Sequence, residues 1–459
     1  MTATDDRANA LTEERFERMR AIGTHAPPPV DTRKLPPGPK WPPLAQSVAL
    51  LRFRHRFVPW AHRKYGDFFT VRMIPGGRPL VMFTRPEHVK EIFAGNPEVF
   101  HAGKGNVILG PVMGEHSLLL QDSREHQRAR KLLMPAFNGH ALRGYESLVT
   151  ELARAEVSRW EPGADFPSLD RMNALTLEVI LRVVCGVTDE RRLAELRPRV
   201  RRTVDVNPAI LLAWRWPALT RIGPWKRMVQ NQRELDQLIY AEISERREAS
   251  DLAERTDVLS RLILARDADD ALADEELRDQ LVTLLLAGHE TTASALSWTL
   301  YEIGRDEQQV RRAREAATTG DDAWLEAVLK ESMRLHPVIA MVARTLMEPA
   351  TIDGLDLPAG TTVAPSILIT HSRPDNHPDP EVFRPERFLG QNPPTNTWIP
   401  FGGGVRRCIG AGFSLMEGVA ILREVFQTYE VRAVDDEEPK VRNITSVPRG
   451  GARIRVTAG

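Results

Sequence analysis

The sequence predicts a mainly α-helical protein with small β-sheets. Its 459 residues are 42% hydrophobic, enough for a large buried core. Strand-like runs are short and lie beside turn residues, at residues 68–74, 79–84, 350–353, 361–366 and 452–457. Helical periodicity, with apolar residues three and four positions apart, covers longer stretches, at residues 143–160, 173–186, 226–249, 256–266, 274–305 and 321–335.

A proline-rich stretch, LPPGPKWPP at residues 35–43, marks the predicted start of the compact domain. Its prolines exclude both a helix and a central strand, so we expect a stiff extended connector. The sequence after it shows neither an internal repeat nor a long linker. We therefore predict a polar N-terminal extension over residues 1–34 and a single domain over residues 35–459.

The balance of charge indicates a protein that selects its partners locally. Lysine plus arginine and aspartate plus glutamate number 62 each, so no overall field would attract nucleic acid or an anionic membrane. The N-terminal residues are charged and have no apolar run, which argues against a signal peptide or a membrane span. We expect the two cysteines, Cys185 and Cys408, to be thiols in a reducing cytoplasm.

The longest helical pattern, over residues 277–304, is apolar except at its centre. One face of this helix would carry Leu284, Ala287, Gly288, Thr291, Thr292 and Ala295. The small residues and hydroxyls there form a notch that can accept a bulky group, with Glu290 beside it. A buried helix that packs closely at Gly288 and bonds its threonines to the preceding turn explains the same residues. A zinc-protease site is excluded, since Ala293 stands where a second histidine is needed.

A second polar pair lies on the helical pattern over residues 321–335. Glu331 and Arg334 are three positions apart, so their side chains can meet. A surface pair of this kind contributes a few tenths of a kcal/mol. A buried pair would need further partners, because removing either charge costs about 3–5 kcal/mol.

The segment FGGGVRRCIGAGFS surrounds Cys408 with glycines and two arginines. Three chemistries compete for this cysteine: a zinc ligand, a nucleophile and an axial ligand to iron. A structural zinc site would need a second cysteine or histidine ligand close to Cys408, and the sequence has none there. No signature of a cysteine nucleophile surrounds the residue either. An axial thiolate fits better, since residues 402–404 let backbone amides turn toward the sulfur and Gly410 allows close approach to a flat cofactor. The positive charge of Arg406 suits cofactor carboxylates.

Four motifs occur in the order typical of one enzyme family. The cysteine segment supplies Phe401, Gly404, Arg406, Cys408 and Gly410. The long helix supplies Ala287, Gly288, Glu290 and Thr291, and the E-x-x-R pair is Glu331 and Arg334. The sequence FRPERF supplies Arg387. From residue 35 onward the chain therefore resembles the cytochrome P-450 heme-thiolate monooxygenases.

The resemblance implies a triangular helical prism with heme b between the long central helix and the helix that follows Cys408. Cys408 would be the iron ligand. Residues expected to contact heme are Ala287, Gly288, Phe401, Gly404 and Gly410. Residues expected to bind the heme propionates are His126, Arg130, Arg344 and Arg406. Glu331, Arg334 and Arg387 would form a structural cluster behind the cysteine loop.

The implied reaction inserts one atom of dioxygen into a hydrophobic small molecule, such as a steroid, terpenoid or fatty acid. Thr291 would position dioxygen and a water, and Glu290 would relay protons. An apolar substrate pocket is expected from Val107, Ile108, Leu109, Val338, Ile339, Met341 and Val447, with residues 206–219 nearby. No dinucleotide fingerprint is present, so electrons would come from a ferredoxin and its reductase.

Two alternatives remain within the same resemblance. One is a peroxide-dependent or rearranging heme-thiolate enzyme, and the other is a heme-thiolate protein that binds a ligand without turnover. Retention of Glu290 and Thr291 favours the monooxygenase over both. A basic docking face for the electron donor would comprise Arg124, Arg128, Lys131 and Arg407, although solvated surface charges explain the same residues.

Overall fold

A computed structural model describes residues 10–18, 30–31, 34–74, 76–204, 221–265, 271–390 and 393–459. The chain divides into two compact units. The first unit comprises residues 1–27, 102–145 and 176–290, and the second comprises residues 28–101, 146–175 and 291–459.

The helices and strands are numbered along the chain. The helices are α1 (residues 10–18), α2 (Pro43–Tyr65), α3 (Pro86–Ala94), α4 (Ala102–Asn106), α5 (Gly110–Met113), α6 (Ser123–Leu133), α7 (Gly139–Val157), α8 (Ser168–Cys185), α9 (Glu190–Val204), α10 (Gly223–Glu248), α11 (Val258–Leu264), α12 (Asp274–Gly304), α13 (Glu307–Thr319), α14 (Asp322–Leu335), α15 (Ile367–Ser372) and α16 (Ala411–Thr428). The strands are β1 (Phe68–Met73), β2 (Arg78–Phe83), β3 (Phe100–His101), β4 (Asp165–Pro167), β5 (Arg344–Leu346), β6 (Ala350–Ile352), β7 (Leu355–Leu357), β8 (Thr362–Pro365), β9 (Tyr429–Ala433), β10 (Pro439–Arg442), β11 (Thr445–Pro448) and β12 (Arg453–Ala458).

The described part of the first unit is helical. Arg246 of α10 is buried and donates to Asp257 at 2.6 Å, to Glu242 at 2.7 Å and to the Cys185 carbonyl at 2.9 Å. One guanidinium thus joins α8, α10 and the start of α11, because its donors satisfy acceptors from all three. Burial raises the pKa of the Cys185 thiol, which keeps that sulfur protonated and argues against a ligand role.

The second unit contains all the described strands. Its largest sheet has the order β1-β2-β8-β5-β3, in which β2 and β8 are parallel and the other neighbours are antiparallel. Side chains alternate across β2. Val81 and Phe83 pack in a cluster with Ile92 of α3, whereas Met82 packs with Leu50 of α2. The sheet is therefore buried on both faces.

Apart from β4, the strands of the smaller sheets lie in the last segment of the second unit, residues 291–459. Strands β4, β12 and β9 form a three-stranded antiparallel sheet, and β6–β7 and β10–β11 are hairpins. The Ser446 amide of β11 donates to the Val338 carbonyl at 2.8 Å, and Ile339 forms a bridge with Thr445. The segment after α14 is thereby fixed against the β10–β11 hairpin.

The prediction of a mainly helical protein with small sheets is confirmed. Each helical pattern corresponds to a helix and each strand pattern to a strand, with ends shifted by a few residues. The sequence patterns missed several helices, namely α2–α6, α9, α13 and α15, whereas α16 is the helix that the resemblance places after Cys408. Within the described residues, no helix is both long and apolar enough to cross a membrane.

Candidate active site

Cys408 lies on a tightly folded stretch of the second unit, residues 398–410, which we call the cysteine loop. It ends just before α16. The Cys408 amide donates to the Phe401 carbonyl at 2.9 Å, and the Arg407 amide donates to the Gly404 carbonyl at 3.1 Å. Gly402 and Gly404 have left-handed φ values of 66° and 65°, which other residues rarely adopt. The loop thus presents the cysteine at an exposed position while its own backbone is bonded internally.

Phe93 of α3 supports this loop from one side. A Cβ added to Gly403 would lie 2.2 Å from the Phe93 ring, and one added to Gly404 would lie 2.1 Å from the Phe93 carbonyl oxygen. Only glycine fits such a close approach. The Arg344 guanidinium lies 6.0 Å from the centre of the same ring and donates to the Ala343 carbonyl at 2.8 Å. Phe93 therefore brings the predicted propionate ligand Arg344 and the cysteine loop together.

Glu331, Arg334 and Arg387 meet in a buried cluster, which we call the second-unit cluster. Arg334 binds both carboxylate oxygens of Glu331, at 2.7 and 2.9 Å. Arg387 donates to Glu331 at 3.2 Å, and the Arg384 amide donates to the same oxygen at 2.8 Å. Arg334 also donates to backbone carbonyls, including that of Pro380 at 2.8 Å. The carboxylate and these carbonyls together satisfy two guanidiniums.

His371 connects the second-unit cluster with the cysteine loop. Arg334 donates to the His371 carbonyl at 3.1 Å, and the His371 Nε2 accepts a hydrogen bond from the Ile399 amide at 2.8 Å. Burial, followed by the charges of His377 and Arg334, holds the pKa of His371 well below its ordinary value. The ring therefore stays neutral and keeps its acceptor nitrogen.

Trp398 provides a second attachment of the same loop to α14. Its indole nitrogen donates to the Lys330 carbonyl at 3.2 Å, and its ring lies edge-on to Phe401 with centroids 5.9 Å apart. Sequence reasoning missed Phe93, His371 and Trp398. Their residue types are ordinary for a core, and their partners lie far away in the sequence, so no local pattern distinguishes them.

The central helix α12 has one accessible stripe. From residue 281 to residue 303 every residue is buried except Leu286, Ala287, Gly288 and Thr291. Ala287 and Thr291 are one helical turn apart, so they lie on one line along the helix. The predicted notch is narrower than expected, because Leu284, Thr292 and Ala295 are buried.

Packing accounts for part of the polar centre of α12. In the first unit, a Cβ added to Gly288 would lie 2.7 Å from the Ile180 Cδ1 of α8. The Thr176 hydroxyl donates to the His289 carbonyl at 3.0 Å. In the second unit, the Thr299 hydroxyl bonds back to the Ala295 carbonyl at 2.8 Å. The packing explanation therefore accounts for these residues, whereas it does not explain why Thr291 is partly exposed.

Glu417 of α16 is a buried carboxyl that sequence reasoning missed. Within the described residues it forms no ion pair, and burial raises its pKa to about 8, although the Thr292 hydroxyl acts in the opposite direction. The Thr292 hydroxyl also lies 3.3 Å from the Ser414 hydroxyl. Seven residues along the same helix, Glu424 is instead bound by Arg154 at 3.0 and 3.1 Å. The sequence did carry a signal for this buried carboxyl, because the glutamate stands among apolar residues of the helix.

The remaining predicted residues lie in both units. In the first unit, His126 and Arg130 lie one turn apart on α6, and Val107 and Leu109 are partly buried in a short turn. In the second unit, the β10–β11 hairpin brings Val447 next to the segment that carries Val338, Ile339 and Met341, and Arg406 ends the short turn that precedes Cys408. The Ile108 side chain and residues 206–219 lie outside the described residues.

Comparisons with known proteins identify the family of this chain. The family model for cytochrome P450 matches residues 36–455. The chain is 54% identical over 429 residues to "Putative cytochrome P450 135A1" of Mycobacterium tuberculosis, covering 93% of this chain and 96% of that protein. It is 41% identical to "Putative cytochrome P450 135B1" of Mycobacterium bovis, covering 92% of each.

A solved structure shows the same fold. Retinoic acid bound cyanobacterial CYP120A1 superimposes with a TM-score of 0.79 at 24% identity, covering 93% of this chain and 100% of that chain. The family model spans both units and includes every predicted site residue. The chain therefore belongs to the cytochrome P450 family, whose cofactor is heme b.

Proposed function

We propose that this protein is a heme-thiolate monooxygenase that inserts one atom of dioxygen into a hydrophobic small molecule. Electrons would come from a separate redox protein. The observation that carries the proposal is the exposed Cys408 on a glycine-lined loop held by backbone hydrogen bonds and by Phe93. Such a loop fixes one sulfur in place while leaving it accessible to a metal.

The residues present fit heme. A flat porphyrin needs small residues on its face and cations at its carboxylates. Ala287, Gly288 and Thr291 supply an accessible stripe of small side chains on α12. In this proposal Cys408 would bind the iron, Phe401, Gly404 and Gly410 would contact the heme, and its propionates would be bound by His126, Arg130, Arg344 and Arg406.

When bound, heme supplies the activation of dioxygen. The protein's own residues would control protons and water around that chemistry. The Thr291 hydroxyl, partly exposed on α12, can accept and pass on a proton at Oγ1. Glu290 is its buried neighbour in the chain and would supply the proton to be relayed. The second-unit cluster and His371 would hold the cysteine loop rigid, which is a structural role.

We propose an apolar substrate of the size of a steroid, terpenoid or fatty acid. Val338, Ile339, Met341 and Val447 of the second unit support this class, because they are apolar and three of them are partly exposed. Val107, Ile108 and Leu109 of the first unit would contribute further apolar contacts. A peroxide-dependent or rearranging enzyme remains the second candidate for the same site, and a ligand-binding protein without turnover is the third.

We further propose that the protein acts in the cytoplasm with a ferredoxin and its reductase. Arg124, Lys131 and Arg407 are exposed and support a basic docking face. Arg128 is a weaker candidate, since it binds Glu276 at 2.6 Å. Substituting Arg124 and Lys131 with glutamate should slow reduction by an acidic ferredoxin about tenfold at low salt. The exposed Lys90→Glu serves as control, and equal rates in all variants would remove the docking proposal.

The decisive experiment compares the two cysteines. Cys408→Ala should abolish the red-shifted absorption that carbon monoxide gives with a reduced thiolate-bound heme. Cys185→Ala should retain it, because that buried thiol is not a ligand in this proposal. An unchanged spectrum in Cys408→Ala would overturn the assignment.

Turnover assays separate the three candidate activities. The monooxygenase needs a reductase and dioxygen, the peroxide-dependent enzyme works with hydrogen peroxide alone, and the ligand-binding protein forms no product. Thr291→Ala should lower product formed per electron consumed by about a hundredfold, the lower end of the range for general acid–base effects. Thr299→Ala is the matched control on α12, because its hydroxyl is bonded back to the helix. Equal coupling in both variants would remove Thr291 from the proton relay.

A further inference from the structure

Helix α1 is packed into the first unit by buried polar contacts. Thr12, Arg15 and Phe16 are almost fully buried. Arg15 donates to the Asp236 carboxylate of α10 at 2.7 Å, and the Thr12 hydroxyl donates to the same oxygen at 3.0 Å. A charged side chain is rarely buried unless it is paired, so these contacts fix α1 at a defined position.

Arg15 belongs to a group of four buried charges, which we call the first-unit cluster: Arg15, Asp236, Arg278 and Asp279. Arg278 of α12 donates to Asp236 at 2.7 Å and to Asp279 at 2.8 Å. Two cations balance two carboxylates, and all four side chains are nearly inaccessible. Loss of any one member would leave a net charge in the interior.

The first-unit cluster also binds the backbone of residues 110–117. Arg15 donates to the Pro111 carbonyl at 3.4 Å, and Arg278 donates to the Met113 carbonyl at 3.1 Å. The Asp279 carboxylate accepts the His116 amide at 3.0 Å. Gly114 has a φ of 89°, and a Cβ there would lie 2.0 Å from an Asp279 oxygen. The backbone of residues 110–117 therefore packs directly against the buried charges of the first-unit cluster.

We propose that Arg15 of α1 is a positioning residue that holds residues 110–117, comprising α5 and the turn after it, against α12. The inference rests on the proposed function in one respect, that the loop following Val107 and Leu109 contacts substrate. Without Arg15 the loop loses one anchor directly and loses the charge balance that keeps Arg278 and Asp279 in place. Substrate entry and exit then become faster.

Hydrogen exchange of the full-length, heme-loaded protein tests the first step. In Arg15→Met, amides of residues 112–118 should exchange about a hundredfold faster, the effect of losing one buried charge partner. Arg233→Met is the matched control, because Arg233 joins the same two helices through an exposed pair with Glu13 at 2.7 Å. That variant should exchange like the parent. Arg15→Lys keeps the charge but not both contacts of the guanidinium. Its exchange rates should therefore lie between those of the parent and those of Arg15→Met.

Two results would overturn the proposal. Unchanged exchange over residues 112–118 would show that Arg15 does not hold this segment. Equal acceleration throughout α8 would show that it stabilises the whole unit and positions nothing in particular. If Arg15→Met does not fold, the double variant Arg15→Met with Asp236→Asn restores charge balance and carries the same expectation.

Ligand exchange tests the second step with 4-phenylimidazole, followed through the heme absorption. Its association and dissociation rates should both rise about tenfold in Arg15→Met, as for a loosened gating loop, while the equilibrium constant changes little. Faster amide exchange with unchanged ligand rates would overturn the positioning role, because the loop would not lie on the ligand's path. Failure of heme binding would instead contradict the proposed function, and the exchange experiment on the apoprotein would still decide whether Arg15 holds the loop.

Discussion

The two units contain buried charge clusters of different construction. The second-unit cluster has one carboxylate for two guanidiniums, and backbone carbonyls take up the excess donors. The first-unit cluster pairs two guanidiniums with two carboxylates. A buried charge can therefore be stabilised either by peptide dipoles or by an opposite charge. In the second-unit cluster the charge balance depends on a single carboxylate. In the first-unit cluster four residues share it.

Glu331→Gln should have the largest effect, because it leaves Arg334 and Arg387 buried without a carboxylate. We expect a loss of about 3–5 kcal/mol in the free energy of unfolding, measured with urea. Glu326→Gln on the same helix is the control, since its pair with Lys330 is partly exposed and should contribute under about 1 kcal/mol. Similar losses in both would show that Glu331 is not the single support of its cluster.

Asp236→Asn should have a smaller effect, because Asp279 remains as a carboxylate beside Arg278. Among the described residues, Arg15 then keeps only the amide oxygen and the Pro111 carbonyl as acceptors. We expect a loss of about 2–3 kcal/mol, the range for an imperfectly satisfied buried charge. Urea unfolding of Asp236→Asn and Glu331→Gln under identical conditions checks the order. A larger loss in Asp236→Asn would contradict the view that shared balance tolerates substitution better.

Within the part of the chain that the structure describes, Glu417 is stabilised neither by backbone dipoles nor by an opposite charge. It should therefore make the free energy of unfolding depend on pH. Burial raises its pKa from 4.5 to about 8, so between these values the folded state holds a proton that the unfolded state has released. The stabilising contribution of Glu417 to the free energy of unfolding is fully present below pH 4.5. It decreases by roughly 1.4 kcal/mol per pH unit up to about pH 8. Glu417→Gln should remove this slope.

Glu424→Gln is the control for the pH experiment, because Glu424 lies on the same helix and is bound by Arg154. It should leave the slope in place. Urea unfolding between pH 5 and 8 measures both variants against the parent, with the range set by the shift of Glu417. A slope that persists in Glu417→Gln would show that this carboxyl is ionised in the folded protein.

Arg387→Lys should have the smallest effect. Arg387 makes one contact with Glu331, at 3.2 Å, whereas Arg334 makes two shorter ones. A lysine keeps the charge, so we expect a loss of less than about 1 kcal/mol. Arg334→Lys should cost more in the same unfolding measurement, because it loses a two-pronged contact. Equal losses would mean that the two arginines share the carboxylate evenly.

Features encoded by neighbouring residues were predictable. Helical spacing located α12 and α14, and the three-residue separation of Glu331 and Arg334 anticipated their contact. The glycines around Cys408 anticipated a tight loop, because the backbone angles at Gly402 and Gly404 favour that residue. In each case the partners lie within a few positions, so the sequence itself carries the geometry.

Contacts between distant segments were not predictable. Arg15 and Asp236 are 221 positions apart, and His371 meets Ile399 across 28 positions. Nothing in either local sequence indicates the partner, because burial and charge balance arise only when separate elements pack. The sequence by itself determined the family, the longest helices of strong periodicity and the cysteine loop. Only the tertiary structure decided which charges are buried together, since the cost of removing a charge from water depends on its complete surroundings.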